Sequence, residues 1–320
     1  MKFKSILCLF LCAVLLFTFS ACSGTSHDKK YIVVIFKSIG SDFWNNVESG
    51  VSSAATENNV TVKIQSPENE EDYVAQNFLI NTAVEDGADA IVLSAIDYDK
   101  SAETVTKAAR RGVKIVTIDS DVGSPLVDMF IGTDNVAAGK MAGQAAVNGF
   151  SDGEKIYIGL VNYNQGTDNG QRREEGFRQF VSTVKNAEIT AAVNVDSNTE
   201  SATAGAMEML RENPKINVIV GFNEWTTLGV GNAIKQLGLS EKVRGIGFDT
   251  NVVSIGMLET GEMDALIVQN PFAIGYLGVQ NAAALADGKK TESVMYTETT
   301  IITKENLFDE DSQKVLFHFQ

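Results

Sequence analysis

Polar and aromatic side chains recur after short apolar runs along this chain, either at the end of the run or near the start of the amphipathic segment that follows it. They are Lys37, Phe43, Trp44, Asp119, Arg173, Asn223, Asp249 and Gln269. Asp, Asn, Gln and Arg carry paired donors or acceptors that can each bind two neighbouring hydroxyl groups, and an aromatic ring can cover the C–H face of a pyranose or furanose. This mixture of side chains suits a neutral polyol better than a phosphate.

A second set of residues is considered as further ligand contacts. It comprises Asp42, Ser120, Asp168, Asp196, Glu224 and Trp225. Asp134 and Asn135, in contrast, are interpreted as a hinge and as a cap for the helix near Val136, because Asp and Asn favour the position before a helix.

Several of the main candidates also have a purely structural interpretation. Asp119, Asp249 and Gln269 could cap helices or form hydrogen bonds within loops. Arg173 could form a surface ion pair with the adjacent glutamates, which would contribute little to stability. We favour ligand binding for all four, because Asp119, Asp249 and Gln269 recur at strand ends and because Arg172 can be the solvated arginine beside Arg173.

The aromatic pair and the lysine near the first strand have alternatives of their own. Phe43 and Trp44 could pack in the core under the first helix, but adjacent residues cannot share one helix face, so at least one ring is expected to face the ligand. Lys37 could bind a ligand hydroxyl or balance the charge of Asp42, and both interpretations stay open.

The composition leaves little material for other kinds of chemistry. The chain of 320 residues has two His, 41 acidic and 26 basic residues, and a formal charge of −15. A duplex-binding surface needs clustered Lys and Arg to displace counterions, so nucleic acid is not expected as a partner. The sequence shows no recognisable glycine fingerprint for phosphate binding, and no recognisable metal site, cofactor site or nucleophile–base pair.

Two series of apolar runs alternate with amphipathic segments. The predicted strands are 31–36, 60–65, 89–94, 113–118 and 127–132 in the first series, and 155–161, 189–195, 218–222, 243–248 and 264–268 in the second. The predicted helices are 42–58, 72–85, 100–111, 170–185, 200–211 and 225–236. Gly87, Gly112 and Gly238 each follow a helical pattern, where a left-handed residue commonly ends a helix.

Continuous apolar strands separated by amphipathic helices indicate parallel sheets that are covered on both faces. Two such series predict an α/β fold with two doubly wound lobes. In open parallel sheets the ligand crevice lies beyond the carboxyl ends of the strands. We therefore expect the candidate residues to line a cleft between the lobes.

The first residues are typical of an export signal. Lys2 and Lys4 precede an apolar run at 6–19, which is short for a membrane span, and small residues then lead to Cys22. Residues 19–22 resemble the lipobox of bacterial lipoproteins, although Phe19 replaces the usual Leu. Simple secretion with an incidental Cys22 is the alternative, but a lipid on this lone remaining thiol explains it better.

From residue 31 to the end, the chain resembles the periplasmic sugar-binding proteins of the ribose, allose and galactose type, which supply ABC importers. Several motifs carry this resemblance. They are KSIGSDFW at 37–44, TIDS at 117–120, GTDN at 132–135 with Gly139, Arg173 with Gly176-Phe177, Asn223-Glu224 with Gly229, GFD at 247–249, and QNP at 269–271. Their order and spacing together carry the resemblance, because none is diagnostic alone.

The resemblance implies a type I periplasmic binding protein fold and assigns sugar contact to the eight main candidates. Lys37 with the Phe-Trp pair is closer to allose binders than to ribose binders. This chain has Ser41-Asp42 where the family often has Asn-Pro, and Ser120 where ribose binders have Arg. The identity of the sugar is therefore open.

The resemblance also implies three crossings between the lobes, near residues 132–134, 269–271 and 299–301. The predicted organisation comprises a signal peptide at 1–21, a lipid-anchored tether at 22–30, a first lobe at 31–133 with 270–299, and a second lobe at 134–269 with 300–320.

The implied function is that of an extracytoplasmic lipoprotein, anchored to the cell membrane through Cys22, which binds a monosaccharide and delivers it to ABC permease subunits. It would work as a monomer and would not be an enzyme. One alternative is a sensory protein that presents a sugar, or an autoinducer-2-like ligand, to a membrane receptor kinase. A glycosidase using two cleft carboxylates is disfavoured, and a sugar-responsive repressor would need a DNA-binding headpiece in place of the export signal.

Overall fold

Short runs of β-branched and aliphatic residues form the strands of two sheets. The computed structural model describes residues 29–316. Its strands are β1 (Tyr31–Ile35), β2 (Thr61–Gln65), β3 (Ala90–Leu93), β4 (Lys114–Ile118), β5 (Met129–Gly132), β6 (Ile156–Tyr163), β7 (Ala187–Val195), β8 (Val218–Gly221), β9 (Arg244–Phe248), β10 (Ala265–Val268), β11 (Val294–Tyr296) and β12 (Thr300–Thr303).

The segments between the strands are helical, and most of them begin at a short polar side chain. The helices are α1 (Asp42–Glu57), α2 (Tyr73–Glu85), α3 (Ala102–Arg110), α4 (Asn135–Val147), α5 (Asp168–Val181), α6 (Thr199–Glu212), α7 (Glu224–Leu237), α8 (Val252–Thr260), α9 (Pro271–Ala286) and α10 (Glu310–Leu316). The side chain of Asp134 accepts a hydrogen bond from the amide of Ala137, which confirms its predicted role as a cap. Gly87, Gly112 and Gly238 have positive φ angles, as predicted.

The strands assemble into two six-stranded sheets, and each sheet is the centre of one lobe. The first sheet has the order β11-β5-β4-β3-β1-β2 and the second has the order β12-β10-β9-β8-β6-β7. Every pairing is parallel except that of β10 with β12. Strands β3, β8 and β10 are buried along their whole length, because helices cover both faces of the sheets. The predicted fold class is confirmed.

The chain passes between the lobes at three connections. They join β5 to α4, β10 to α9, and β11 to β12. The first two connections contain Thr133 and Gln269, whose side chains form a hydrogen bond of 2.8 Å from Oγ1 to Oε1. The predicted lobe limits at 133/134, 269/270 and 299/300 stay predictions that are consistent with these connections.

Paired glycines let two helices approach closely in each lobe. In the first lobe, a Cβ atom at Gly50 or Gly275 would overlap a backbone carbonyl oxygen of the facing helix. In the second lobe the same holds for Gly139 and Gly176 on α4 and α5, and the carbonyl oxygen facing Gly139 belongs to Arg173. The close approach of α4 and α5 therefore helps to fix the position of the Arg173 backbone, from which the side chain extends towards the cleft.

The sequence pattern missed several elements. Helices α8 and α9 lack a clear polar face, since their sequences VVSIGMLET and PFAIGYLGVQNAAALA are apolar nearly all round. Strand β6 extends to Tyr163, so Asn162 lies within the strand, and α5 begins at Asp168 rather than near residue 170. Strands β11 and β12 and helix α10 were also absent from the prediction, because they are too short for a period to stand out.

The predicted signal peptide and Cys22 lie outside the described residues. Between residues 29 and 316, no helix is both long enough and apolar enough to cross a membrane.

Candidate functional site between the lobes

Two aspartates occupy equivalent positions at the ends of equivalent strands. Asp119 follows β4 in the first lobe and Asp249 follows β9 in the second, with φ angles of 58° and 66°. Each amide donates to the neighbouring strand, to Ile131 and Ile267 respectively, at 3.0 Å. Asp and Asn tolerate this left-handed conformation better than most residues. The two carboxylates thereby turn out of their sheets and into the space between the lobes.

All eight main candidates line one cavity between the lobes. The lining consists of Lys37, Ser41, Phe43, Trp44, Glu70, Asp119, Tyr163, Asn169, Arg173, Asn223, Glu224, Trp225, Asp249 and Gln269. The cavity has a volume of about 30 Å³, which is room for about two water molecules. A pyranose is larger than that, so the lobes or the lining side chains must move to admit one.

Arg173 reaches the cavity from α5 and is 1% exposed. Its Nε donates to Asn135 Oδ1 and its Nη1 to the carbonyl of Phe222, both at 2.8 Å, and its guanidinium lies 4.7 Å from the ring centroid of Phe248. Within residues 29–316, Nη2 has no hydrogen-bond partner and lies 3.9 Å from Asp119 Oδ1. The interpretation of Arg173 as a surface ion pair is therefore wrong, and one fork of a fixed guanidinium remains free to donate.

Lys37 joins the two lobes next to Asp119. Its Nζ lies 2.8 Å from Thr167 Oγ1 and 3.1 Å from Asn169 Oδ1 in the second lobe, and 3.4 Å from Asp119 Oδ2 in the first. The Nδ2 of Asn169 donates to both carboxylate oxygens of Asp119 at 3.0 Å. The carboxylate that Lys37 balances is therefore Asp119, and not Asp42.

Asp249 is a buried carboxylate that faces the same cavity. Its Oδ1 accepts a hydrogen bond of 2.7 Å from Gln269 Nε2. Burial raises the pKa of Asp249 from its ordinary value of 3.8 to about 7, although Arg173 and the hydrogen bond from Gln269 oppose that rise. Glu224 and Asp119 add to it through charge repulsion. The pKa of Asp249 in the folded protein therefore lies near neutral pH.

The capping interpretation is wrong for Asp119, Asp249 and Gln269. The next helices along the chain are capped by other residues, namely Asp134, Asn251 and Asn270. The side chains of the three candidates bond instead to each other or to groups across the cleft. Their polar atoms are therefore available to the cavity rather than to helix ends.

Asn223 combines a structural contact with a place in the cavity wall. Its Oδ1 accepts from the amide of Thr226, and the Oγ1 of Thr226 accepts from the amide of Asn223, which completes a capping box for α7. Its Nδ2 donates to Ser197 Oγ at 2.8 Å. The capping box therefore holds this amide side chain in place at the cavity wall.

The aromatic pair forms one wall. The rings of Phe43 and Trp44 meet edge to face with centroids 5.0 Å apart, and Trp44 also stacks on Phe36 at 5.0 Å. Both residues are buried in the core of the first lobe and line the cavity as well. The core and ligand interpretations of this pair are therefore both compatible with the structure.

Residues 32–290 match the family described as the periplasmic binding protein domain. The chain belongs to this family. Its members are binding proteins, and so the prediction that this chain is not an enzyme is confirmed.

This periplasmic binding protein is similar to sugar-binding relatives along most of its length. It is 24% identical over 271 residues to the D-allose-binding periplasmic protein of Escherichia coli (strain K12), covering 82% of this chain and 85% of the relative. Its fold matches a carbohydrate transporter solute-binding protein of Agrobacterium radiobacter in complex with D-arabinose, with a TM-score of 0.88 and 28% identity. That match covers 91% of this chain and all of the other.

A further structural match of this periplasmic binding protein is an assembly of two proteins. It is a structure described as the XylFII–LytSN complex, with a TM-score of 0.79 and 25% identity, covering 87% of this chain and 98% of the other.

Of the secondary candidates in this binding protein, Glu224 and Trp225 line the cavity, whereas Asp42 and Ser120 do not. The side chain of Asp42 is exposed, and its backbone amide bonds to Glu224. Ser120 is fully buried and its hydroxyl lies 3.2 Å from that of Thr167. Ser120 therefore contacts the other lobe without lining the cavity.

Asp168 and Asp196 also lie away from the cavity of this binding protein. Asp168 forms an ion pair of 2.7 Å with Arg172 one helical turn along α5. The side chain of Asp196, after β7, is exposed. Residues that follow a strand can point to either side of the loop, which is why the position in sequence alone did not separate these two from Asp119.

Four residues in the cavity wall were missed by the sequence analysis: Ser41, Glu70, Tyr163 and Asn169. Burial raises the pKa of the Tyr163 hydroxyl well above its usual range, and this hydroxyl donates to Asn169 Oδ1 at 2.9 Å. Glu70 lies beyond the carboxyl end of β2, where the strand-end rule could have found it. Its acidic neighbours made the segment look like a solvated loop.

Metal binding has no support in the described part of this binding protein. Within residues 29–316, no group of three or more His, Cys, Asp or Glu side chains is arranged to hold a metal ion.

Proposed function

We propose that this protein binds a monosaccharide between its lobes and delivers it to an ABC importer. The observation that carries the proposal is the cavity itself, since eight residues chosen for their ability to bind hydroxyl groups line one space between the two sheets. Lys37, Asp119 and the aromatic pair come from the first lobe. Arg173, Asn223 and Asp249 come from the second, and Gln269 lies in a connection between them.

Closure of the lobes around the sugar is the proposed mechanism. A ligand favours the closed arrangement when it forms hydrogen bonds to both lobes at once, because those bonds are incomplete in the open arrangement. The free Nη2 of Arg173 can donate to a hydroxyl, and the carboxylate of Asp249 can accept from one. The ABC permease would then recognise the closed form.

The relatives support a sugar as the ligand without deciding which one. Proteins named for D-allose and D-ribose binding, and a structure in complex with D-arabinose, are all similar to this chain. Lys37 and the Phe43-Trp44 pair favour an allose-like ligand, while Ser120 replaces the arginine of ribose binders. The proposed ligand class is therefore a monosaccharide, and its identity is the question for experiment.

Titration calorimetry against a panel of aldopentoses and aldohexoses tests the proposed function. We expect at least one sugar to bind with a micromolar dissociation constant, and amino acids of similar size to give no heat. A protein that binds an amino acid and none of the sugars would contradict the proposal.

The proposed location is the outer face of the cell membrane, with lipid attached to Cys22. Support comes from the lysine-led apolar segment before Cys22 and from the periplasmic relatives. We expect the native protein to sediment with membranes and Cys22→Ala to appear in the soluble extracytoplasmic fraction. Equal sedimentation of both forms after a high-salt wash would rule out this anchor.

A sensory role is the second candidate, and the match to the XylFII–LytSN complex favours its consideration. Here the closed form would be presented to a membrane receptor kinase instead of a permease. Neighbouring genes separate the two roles: permease and ATPase genes support import, whereas a histidine kinase gene supports sensing.

A further inference from the structure

Two buried glutamates contact the aromatic pair from opposite sides of the cleft. Glu70 lies between β2 and α2 in the first lobe and is 7% exposed, and Glu224 is the first residue of α7 in the second lobe and is 6% exposed. Both line the cavity. Their hydrogen bonds, however, are made with the protein itself.

Glu70 connects the Trp44 ring to the second lobe. Its Oε1 accepts from the indole Nε1 of Trp44 at 3.0 Å and from Ser38 Oγ at 3.1 Å. Its Oε2 accepts from Ser197 Oγ of the second lobe at 2.8 Å. The same serine hydroxyl accepts from Asn223 Nδ2 at 2.8 Å. A continuous chain of hydrogen bonds therefore runs from Trp44 to Asn223.

Glu224 holds the backbone of the pair from the second lobe. Its Oε2 accepts from the amide of Phe43 at 3.1 Å, and its Oε1 accepts from the amide of Asp42 at 3.3 Å and from Asn251 Nδ2 at 2.8 Å. The amides belong to the first turn of α1, where helical N–H groups lack partners within the helix and favour a negative charge. Glu224 thus caps a helix of the opposite lobe.

Hydrogen bonds, rather than cations, hold both carboxylates. Among the described residues, no Lys, Arg or His nitrogen lies within 4.0 Å of Glu70 or Glu224. Burial raises the pKa of Glu224, and the hydrogen bonds from Asn251 and the α1 amides oppose that rise. The stability of a buried carboxylate of this kind depends on its hydrogen-bond donors. The α1 amides can donate to Glu224 only when the two lobes are in contact.

We propose that Glu70 and Glu224 are positioning residues that couple the aromatic pair Phe43–Trp44 to lobe closure, an inference that rests on the proposed sugar binding in this cleft. Separation of the lobes removes Ser197 from Glu70 and both α1 amides from Glu224. Closure restores these bonds, and the aromatic wall reaches its final place in the same step.

This role has a consequence for affinity that distinguishes it from direct ligand contact. A residue that acts on closure changes the equilibrium that every sugar shares, so the affinities for all sugars change by the same factor. A residue that contacts one hydroxyl changes the ratio between sugars that differ at that hydroxyl.

The first measurement needs no sugar and uses hydrogen exchange of the native protein, Glu70→Gln, Glu224→Gln and Glu48→Gln. Glu48 lies exposed on α1, the helix that carries Phe43 and Trp44, and provides the matched control. An amide side chain has one acceptor oxygen where the carboxylate has two. We expect Glu224→Gln to speed exchange at the first turn of α1, and Glu70→Gln to speed exchange of the Trp44 indole N–H, each by roughly tenfold.

The second measurement is titration of the same variants with the sugar that binds best and with its epimers. Glu70→Gln and Glu224→Gln should each weaken every sugar by a common factor of about ten to a hundred. Glu48→Gln should match the native protein. A changed order of sugar preference would make the glutamates ligand contacts and overturn the proposal, as would unchanged exchange at α1 and Trp44.

The two measurements separate this inference from the proposed function. If no sugar binds to the native protein, the proposed function fails, and the exchange rates still decide whether the glutamates hold the aromatic pair. If sugars bind and exchange is unaffected by either variant, the proposed function stands and the positioning role is lost.

Discussion

Replacing Arg173 with Lys is expected to weaken sugar binding by about ten- to a hundredfold while the protein remains folded. The guanidinium is held by Asn135 and the carbonyl of Phe222, and its Nη2 faces the cavity without a partner among residues 29–316. Lysine keeps the positive charge near Asp119, but it lacks the planar fork that satisfies these groups and a ligand at once. Losing a hydrogen bond from a charged donor costs about 1.5–3 kcal/mol.

Titration calorimetry measures the loss, and thermal unfolding followed by circular dichroism verifies that the variant is folded. Arg172→Lys is the matched control, since Arg172 is half-exposed and pairs with Asp168 on the outside of the same helix. Its affinity should equal that of the native protein. An Arg173→Lys variant with native affinity would remove Arg173 from the binding site.

Asp249→Asn is expected to make the protein more stable at alkaline pH and weaker in sugar binding. Burial raises the pKa of Asp249 to about 7 in the folded protein, against an ordinary value of 3.8. The native protein must therefore bear a buried negative charge above that pH, at a cost that grows as the pH rises through the interval between the two values. Asparagine has the same shape, tolerates the positive φ and carries no charge.

The difference in free energy of unfolding between the variant and the native protein should be small at about pH 4 and should grow to at most about 4 kcal/mol by about pH 8. Chemical denaturation at a series of pH values gives this difference. The charges of Arg173, Glu224 and Asp119 act on the Asp249 carboxylate, so the measured pH dependence includes their effect. Asp152→Asn is the control at an exposed position, and its difference in free energy of unfolding from the native protein should not change with pH. A flat curve for Asp249→Asn would mean that the carboxylate is ionised without penalty.

Much of the architecture could be predicted from the sequence, because parallel strands and amphipathic helices leave strong local patterns. The predicted strands of both series and helices α1, α2, α3, α6 and α7 were anticipated to within about two residues. Helices α8 and α9 were missed, since a helix that is apolar nearly all round shows no period. The spacing of apolar residues indicates which face of a helix or strand is buried. It gives no such indication when nearly every face is apolar.

The candidate site was predictable where a residue type and a strand end coincided. Asp119 and Asp249 follow their strands directly, and both turn into the cavity. Asp196 follows β7 just as directly, and Asp168 comes after β6 at the start of α5, but both lie elsewhere. Glu70 lies in a run of acidic residues, where nothing local distinguishes the one carboxylate that accepts from Trp44 and Ser197. The rule finds the edge of the sheet, but it does not find the direction of a side chain.

By itself, the order of residues determined the two-lobed α/β plan and the polar, hydroxyl-binding character of the cleft, since both follow from residue types and their periods. Only the tertiary structure decided that Lys37 pairs with Asp119, that Arg173 keeps one fork free, and that Glu224 caps a helix of the other lobe. These contacts join residues that are 54 to 182 positions apart or depend on burial from several elements at once. The geometry of these contacts depends on how the two lobes pack against each other. No local sequence pattern determines that packing.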